Sequence, residues 1–285
     1  MMRPHALVTG GSSGIGRAVA AKLAAEGYSL SLIARRDGLL KEAADEIRKE
    51  FTHPDQAIFT YQADVADAPA ADAAVTAATA DLGVPDLVIT SAGIAVPGYF
   101  EDIALRVHER SMAVNYFGTL HIVRATLPAM RARRSGRIVM ISSGAALMGI
   151  FGYASYCPSK FALKGLAETL RAELKSEGVG ISIVYPPDTE TPMLVEENKT
   201  KPEETKLITG LVKAWSAEDV AECIIDGIAR KRFAITPGAT IAAMKRMPGI
   251  LIPALTWYSD KLADKVRRQR TAVGMKPSAH PGQAR

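Results

Sequence analysis

The stretch Thr9-Gly10-Gly11-Ser12-Ser13-Gly14-Ile15-Gly16 restricts the fold most, because of what stands on either side of it. His5-Ala6-Leu7-Val8 is an apolar run of strand length, and Ile15, Val19 and Leu23 then recur at helical spacing among alanines up to Glu26. Glycines permit a tight turn and a close backbone approach, and the free N–H groups of a helix start attract a pyrophosphate. A glycine cluster alone can be only a turn, but strand, turn and helix in this order form the context that a dinucleotide-binding unit needs. The alternation continues along the chain. Strands are predicted at 29–34, 57–62, 86–90, 137–141 and 181–185, with helices at 38–50, 69–82 and 101–131 and one from Tyr156 to Gly178. This pattern predicts an α/β fold, a Rossmann-type doubly wound parallel sheet with helices on both faces. Ligands then bind beyond the carboxyl ends of the strands.

A second group falls at those ends. Ser143 offers a hydroxyl, Tyr156 a phenol thirteen residues on, and Lys160 an ammonium four beyond that. Tyr and Lys four apart share a helix face. A free phenol titrates near pH ~10, and lowering that value by ~3 takes ~4 kcal/mol. A unit charge ~4 Å away at an effective dielectric of ~20 supplies about that much. Tyr-x-x-x-Lys alone carries little weight, since about half of one is expected by chance at this length.

Together these residues resemble the short-chain dehydrogenase/reductase family over roughly residues 4 to 237. Its Thr-Gly-x-x-x-Gly-x-Gly turn matches Thr9 to Gly16, and its Asn, Ser, Tyr, Lys catalytic set matches Asn115, Ser143, Tyr156 and Lys160. Two departures are visible. The family's Asn-x-Ala-Gly reads Thr90-Ser91-Ala92-Gly93, which removes the usual Asn contact to neighbouring strands, and its Pro-Gly after the sixth strand reads Pro186-Pro187. The resemblance implies cofactor contacts from Gly10, Ser12, Ser13, Gly14, Ile15 and Gly16, from Asp64 and Val65 flanking the adenine, and from Ala92, Gly93, Tyr156, Lys160, Pro186, Thr189 and Thr191. It also implies that Tyr156 protonates a nascent alkoxide while Ser143 hydrogen-bonds the carbonyl oxygen. Lys160 then lowers the Tyr pKa and holds ribose hydroxyls, Asn115 bends its helix and holds a proton-relay water, and Ser142 is structural. At the end of the second strand Ala34 leaves no carboxylate and Arg35-Arg36 come next, which points to NADPH, a basic residue there accepting the 2′-phosphate. The competing reading is two solvated arginines.

After the sixth strand comes a polar, Pro-punctuated segment at about 188–213 that is expected to act as a lid. Its runs Pro186-Pro187-Asp188-Thr189-Glu190-Thr191-Pro192 and Glu196-Glu197-Asn198-Lys199-Thr200-Lys201-Pro202 resemble the 3-ketodihydrosphingosine reductases within that family. This resemblance implies reduction of 3-oxosphinganine by NADPH. Another lipid-like ketone, such as a 3-oxoacyl thioester or a steroid, remains open, as does a non-catalytic NADPH-binding sensor. An acidic lid residue is expected to meet the substrate ammonium, with Asp188 and Glu190 first and Glu196 or Glu197 next.

Composition adds boundaries. A length of 285 residues suits one domain over 1–238, lid included, with an extension at 239–285. Of the net +5, residues 245–285 carry +7, nine Lys or Arg against Asp260 and Asp264, which leaves −2 for residues 1–244. A basic tail on an acidic domain argues against a nucleic-acid-binding catalytic domain. Two cysteines, Cys157 and Cys223, and five scattered His suggest neither a disulfide framework nor a metal site. The early first strand leaves no room for a signal peptide, so a cytoplasmic place is expected. In the tail, Ile241, Met244, Ile250, Leu255, Trp257 and Tyr258 alternate with basic residues, and the apolar run 250–258 is interrupted by Pro253. This composition suits peripheral contact with an anionic membrane; the competing reading is cover for the active-site mouth or a subunit interface. A homo-oligomer, dimer or tetramer, is expected.

Overall fold

The computed structural model describes residues 3–210 and 212–272. Seven parallel strands form one sheet: His5–Thr9 (β1), Ser29–Ala34 (β2), Ile58–Gln62 (β3), Leu87–Thr90 (β4), Gly136–Ile141 (β5), Val179–Val184 (β6) and Ala234–Ile235, in the order β3-β2-β1-β4-β5-β6 with Ala234–Ile235 at the edge. The central strands are buried on both faces, which is why they read as continuous apolar runs rather than alternating ones. One face is covered by Gly14–Ala25 (α1), Asp37–Arg48 (α2) and Ala217–Ala229, with Val19, Leu40 and Val220 in that core. The other is covered by Ala68–Leu82 (α3), by Gly118–Arg133 and by Cys157–Leu174, with Val75, Ile122 and Ala167. This is the doubly wound sheet that the alternation predicts.

Strand order reverses between β1 and β4, and Thr9 is in register with both Ile33 and Thr90, so the carboxyl ends form one crevice. The two loops that leave β1 and β4 touch. At Gly10 φ is +69°, and a Cβ there would stand 2.8 Å from the Ala92 nitrogen. The Thr9 hydroxyl accepts from the N–H groups of Ser91 (3.1 Å) and Ala92 (3.2 Å). These bonds tie the strand ends beside Thr90, which stands where the family has Asn.

The helix expected at 101–131 is three pieces. Leu105–Met112 (α4) passes into a π-helical turn at Ala113–Phe117 and then into Gly118–Arg133 (α5). The cause is Asn115, whose amide bonds the backbone of Ile94 instead of facing water, and wide turns of this kind recur at functional sites. Cys157–Leu174 (α6) stops short of Gly178, which has a φ of +81°.

The lid is ordered. Thr189–Glu190 (β7) pairs with Trp215–Ser216 (β8), and between them lie Pro192–Thr200 (α7) and Glu203–Thr209 (α8). Thr191 caps α7 by accepting from the Leu194 N–H at 3.2 Å, with Pro192 at the first helical position, where its missing N–H costs nothing. After Ala217–Ala229 (α9) and the edge strand (β9), the tail forms Ala239–Arg246 (α10) and Pro248–Ala272 (α11). The helix runs on through Pro253, which interrupts the apolar run but not the helix, and one backbone bond is given up there. Ala263 and Val266 of α11 are buried, and Leu255 packs against the main core. Arg270 donates to the Tyr99 hydroxyl and to Glu204 (3.3 Å), and lies 3.6 Å from Glu203, so the tail is fastened to α8.

Candidate active site

The crevice opens into a cavity of about 370 Å³ that spans the carboxyl ends of the strands, the lid and the tail. At one end Gly10, Ser12, Ser13, Gly14 and Ile15 line it. Gly16 lies just beneath, where a Cβ would fall 2.4 Å from the Gly10 carbonyl oxygen. Gly14 has a φ of +53° and a Cβ there would meet the Thr191 side chain at 2.9 Å, so the lid's first helix starts directly over the turn. Ser13 takes the N-cap position of α1 with an extended backbone, and its side chain makes no capping bond. The first N–H groups of α1 are therefore left for an anion.

Arg35 and Arg36, both exposed, stand on the wall beyond β2. Asp64 and Val65 stand next to them. Burial works against ionisation of Asp64, but the hydrogen bond from Arg110 and that from the Ala66 N–H outweigh it and hold its carboxyl below the usual range. No sequence pattern points to Arg110, on α4, since 46 residues separate the pair. Ala92 and Gly93 complete this wall, and a Cβ at Gly93 would lie 3.3 Å from Asn115 Oδ1 and 3.6 Å from Lys160 Nζ. Pro186, Thr189 and Thr191 close the opposite side. Among the described residues only Arg134 and Lys231 combine a side chain beyond hydrogen with positive φ, so Pro187 occupies ordinary backbone where the family has glycine.

The four candidate catalytic residues come together at the middle. Asn115 is fully buried: Oδ1 accepts from Ile94 N–H (2.8 Å), and Nδ2 donates to Ile94 O (2.9 Å) and Ser159 Oγ (2.9 Å). It joins the loop after β4 to the first turn of α6. Ser142 donates to the Lys160 carbonyl at 3.1 Å and so sets the height of α6 against β5. Ser143 Oγ accepts from Ala145 N–H at 3.1 Å and hydrogen-bonds Tyr156. Lys160 Nζ donates to the Ile141 carbonyl (3.1 Å) and lies 5.5 Å from the centre of the Tyr156 ring.

The electrostatics differ from the two-body expectation. Burial raises the Tyr156 pKa, the Glu197 carboxylate adds to the rise, and the Ser143 bond opposes it. Burial likewise pushes Lys160 down to about 8, partly offset by Glu197. Desolvation is the largest influence on both groups, so the lowering of the phenol expected from the Tyr-Lys pair is not found in the folded chain, where the phenol is raised instead.

Among the lid carboxylates the order expected from the sequence changes, and Tyr153 joins the site unannounced. Glu197 is buried on α7 and accepts from the Tyr153 hydroxyl, whose ring lies 5.7 Å from that of Tyr156. Asp188 also lines the cavity, whereas Glu190 and Glu196 are exposed and do not, and Glu196 is paired with Lys199 at 2.6 Å. Lys201, its side chain 2% exposed, stands 3.4 Å from Asp188 Oδ2 and 4.0 Å from Glu197 Oε2. The far wall comes from the tail, with Ile241, Met244, Leu255 and Tyr258. For these four the covering role, one of the two readings open from the sequence, is the one the packing supports.

The family described as short chain dehydrogenase matches residues 4–202. The chain is 39% identical over 230 residues to the 3-ketodihydrosphingosine reductase of Bos taurus, spanning 80% of this chain and 69% of that protein. It is equally similar to the 3-dehydrosphinganine reductase of Danio rerio, 39% over 230 residues with the same coverage. Among solved structures, levodione reductase superposes with a TM-score of 0.76 at 27% identity, over 84% of this chain and 98% of that one. A short chain dehydrogenase/reductase from Burkholderia phymatum, solved in complex with NAD, shares the fold over 99% of both chains, with a TM-score of 0.76 at 24% identity.

Proposed function

Since the chain belongs to the short chain dehydrogenase family, and is therefore an oxidoreductase acting on a small molecule, we propose that it reduces 3-oxosphinganine to sphinganine with NADPH. What carries this reading is one cavity that holds Ser143, Tyr156 and Lys160 beside the glycine turn and has lid and tail residues such as Met193, Leu194, Ile208, Ile241, Met244 and Leu255 among its lining. The resemblance to reductases named for this substrate in cattle and fish supports it.

A dinucleotide fits the residues present. Gly10 and Gly16 leave no room for side chains of their own, and the uncapped start of α1 offers N–H groups to phosphate. Gly10 to Gly16 would hold the pyrophosphate, Asp64 and Val65 the adenine end, and Ala92, Gly93, Pro186, Thr189 and Thr191 the remainder. Arg35 and Arg36 would take the 2′-phosphate that distinguishes NADPH. When bound, the cofactor supplies a hydride to the carbonyl carbon.

The chain's own residues handle the oxygen. Ser143 and Tyr156 direct hydroxyls at the carbonyl, and Tyr156 gives up its proton as the oxygen becomes an alkoxide. Burial keeps the phenol protonated at neutral pH, so the proton is in place but is given up only when positive charge stands beside the oxygen. Lys160 places positive charge next to the phenolate as it forms, and holds ribose hydroxyls. Asn115 fixes the loop after β4 against α6 so that these groups keep their spacing. In the same reading residues 1–238 carry the chemistry and 239–285 form an extension that closes the cavity. The extension's outer side touches anionic membrane, and the chain forms a homo-oligomer through exposed apolar residues such as Phe117 and Phe161.

The test is NADPH oxidation on addition of 3-oxosphinganine, with the product identified by mass. Sphinganine formed by the wild type, and less than about a thousandth of that rate with Tyr156→Phe, is the expected result. Turnover of a 3-oxoacyl thioester or a steroid ketone without turnover of 3-oxosphinganine would replace the substrate assigned here.

A further inference from the structure

The carboxylates of the lid are not equivalent. Glu190 and Glu196 are exposed outside the cavity, and Asp188 is engaged by Lys201. Glu197 combines features that none of the other three has together. Its side chain is 10% exposed, and it lines the cavity that holds Tyr156. Its Oε2 takes both the Tyr153 hydroxyl and the approach of Lys201, while Oε1 accepts no hydrogen bond among the described residues. Oε1 is not among the buried unpaired polar atoms, so this oxygen, on a side chain mostly withdrawn from solvent, is reached from the cavity and is open to a donor brought by a ligand.

The donor is specified by the reaction. In a 2-amino-3-ketone the nitrogen sits on the carbon next to the carbonyl, so a molecule whose oxygen meets Tyr156 and Ser143 must carry its ammonium close to Tyr156. Tyr153 lies next to Tyr156 and its hydroxyl reaches Glu197. Of the charged groups, Glu197 acts most strongly on Tyr156. The neighbouring Lys201 shows that this corner already accepts one primary ammonium, set against Asp188 and Glu197.

We propose that Glu197 determines specificity for an amino-ketone, with Oε1 accepting a charge-assisted hydrogen bond from the ammonium beside the reacting carbonyl. Tyr153 and Lys201 are positioning residues: the first fixes the rotation of the carboxylate, and the second, paired with Asp188, keeps Oε2 occupied so that Oε1 is the oxygen presented. This rests on the reading of the substrate as 3-oxosphinganine and adds which residue reads its amine.

The experiment compares kcat/KM for 3-oxosphinganine with that for its deaminated analogue, the same chain with hydrogen in place of the amine. Wild type should prefer the amino-ketone, and in Glu197→Gln that preference should fall at least about tenfold, mostly through KM. Tyr153→Phe, which leaves the carboxylate in place but unfixed, should lower the preference several-fold. As a measure independent of turnover, a long-chain primary amine should inhibit wild type at least about tenfold better than the matching alcohol. A preference unchanged in Glu197→Gln, or an amine that inhibits no better than the alcohol, overturns the assignment and leaves the substrate reading intact. Wild type that reduces the deaminated ketone and ignores the amino-ketone overturns the substrate reading, and the role of Glu197 with it.

Discussion

Lys160 is held in the folded chain at a cost. Its pKa drops from 10.5 to about 8 through burial, a difference of roughly 3 kcal/mol between folded and unfolded protonation. Below about pH 8 both states keep the proton and the whole penalty applies. Between about 8 and 10.5 the folded protein has released it while the unfolded chain has not, so this group's penalty fades as pH rises. Lys160→Met should therefore raise the melting temperature at pH 7, by the equivalent of about 1–3 kcal/mol once packing losses are subtracted, and lose activity. In melts across pH the gain should shrink towards about pH 10. At the cofactor's far end, replacing both Arg35 and Arg36 by Ala should raise KM for NADPH by at least about tenfold more than KM for NADH, and equal effects would mean that these are solvated arginines. The positions of Ser143, Tyr156 and Lys160 were legible from spacing because a helix turn and a strand end carry them. Their pKa values were not, since desolvation depends on everything packed around a group, and Glu197 and Tyr153 meet only across a fold that brings residues 44 apart together.

At the scale of elements, regular period is legible in the sequence and irregularity is not. Apolar runs of four to six residues mark the strands, because both faces of this sheet are covered. The π-helical turn at Ala113–Phe117 leaves no trace in periodicity, for one wide turn shifts the phase by a single residue and its cause is a bond to Ile94, twenty-one positions away. The lid reads as polar covering chain and is instead two short helices, stabilised by caps and by contacts that no local pattern announces. One such contact is the Thr205 hydroxyl donating to the Phe151 carbonyl at 2.9 Å. Arg270 fastens α11 to the lid through Tyr99, Glu203 and Glu204. Arg270→Ala should then loosen α8, seen as hydrogen exchange at least several-fold faster over residues 203–209 while β1 to β5 are unaffected.

For the molecule as a whole, charge and apolar exposure are unevenly placed. The tail is basic, and Ile250 (72% exposed) and Trp257 (60%) project from α11, which covers the cavity with its other side. Among the described residues no helix is long and apolar enough to cross a membrane. In the proposed membrane contact this helix would lie in the interface, each basic residue near an anionic surface adding about 1 kcal/mol. The protein should sediment with vesicles containing anionic lipid, be released by added salt, and lose this affinity in the double variant Ile250→Ser, Trp257→Ser. Protein that stays in the supernatant at low salt would leave the tail as a cover only.

The family match ends at residue 202, yet Ile241, Met244, Leu255 and Tyr258 supply one side of the cavity. The reacting groups and this wall of the cavity thus belong to different stretches of chain. Such a division lets substrate range change by exchange of a terminal segment, with the strand ends and the catalytic helix left as they are. A chimaera carrying the tail of a relative would inherit that relative's taste in chain length and keep this protein's chemistry.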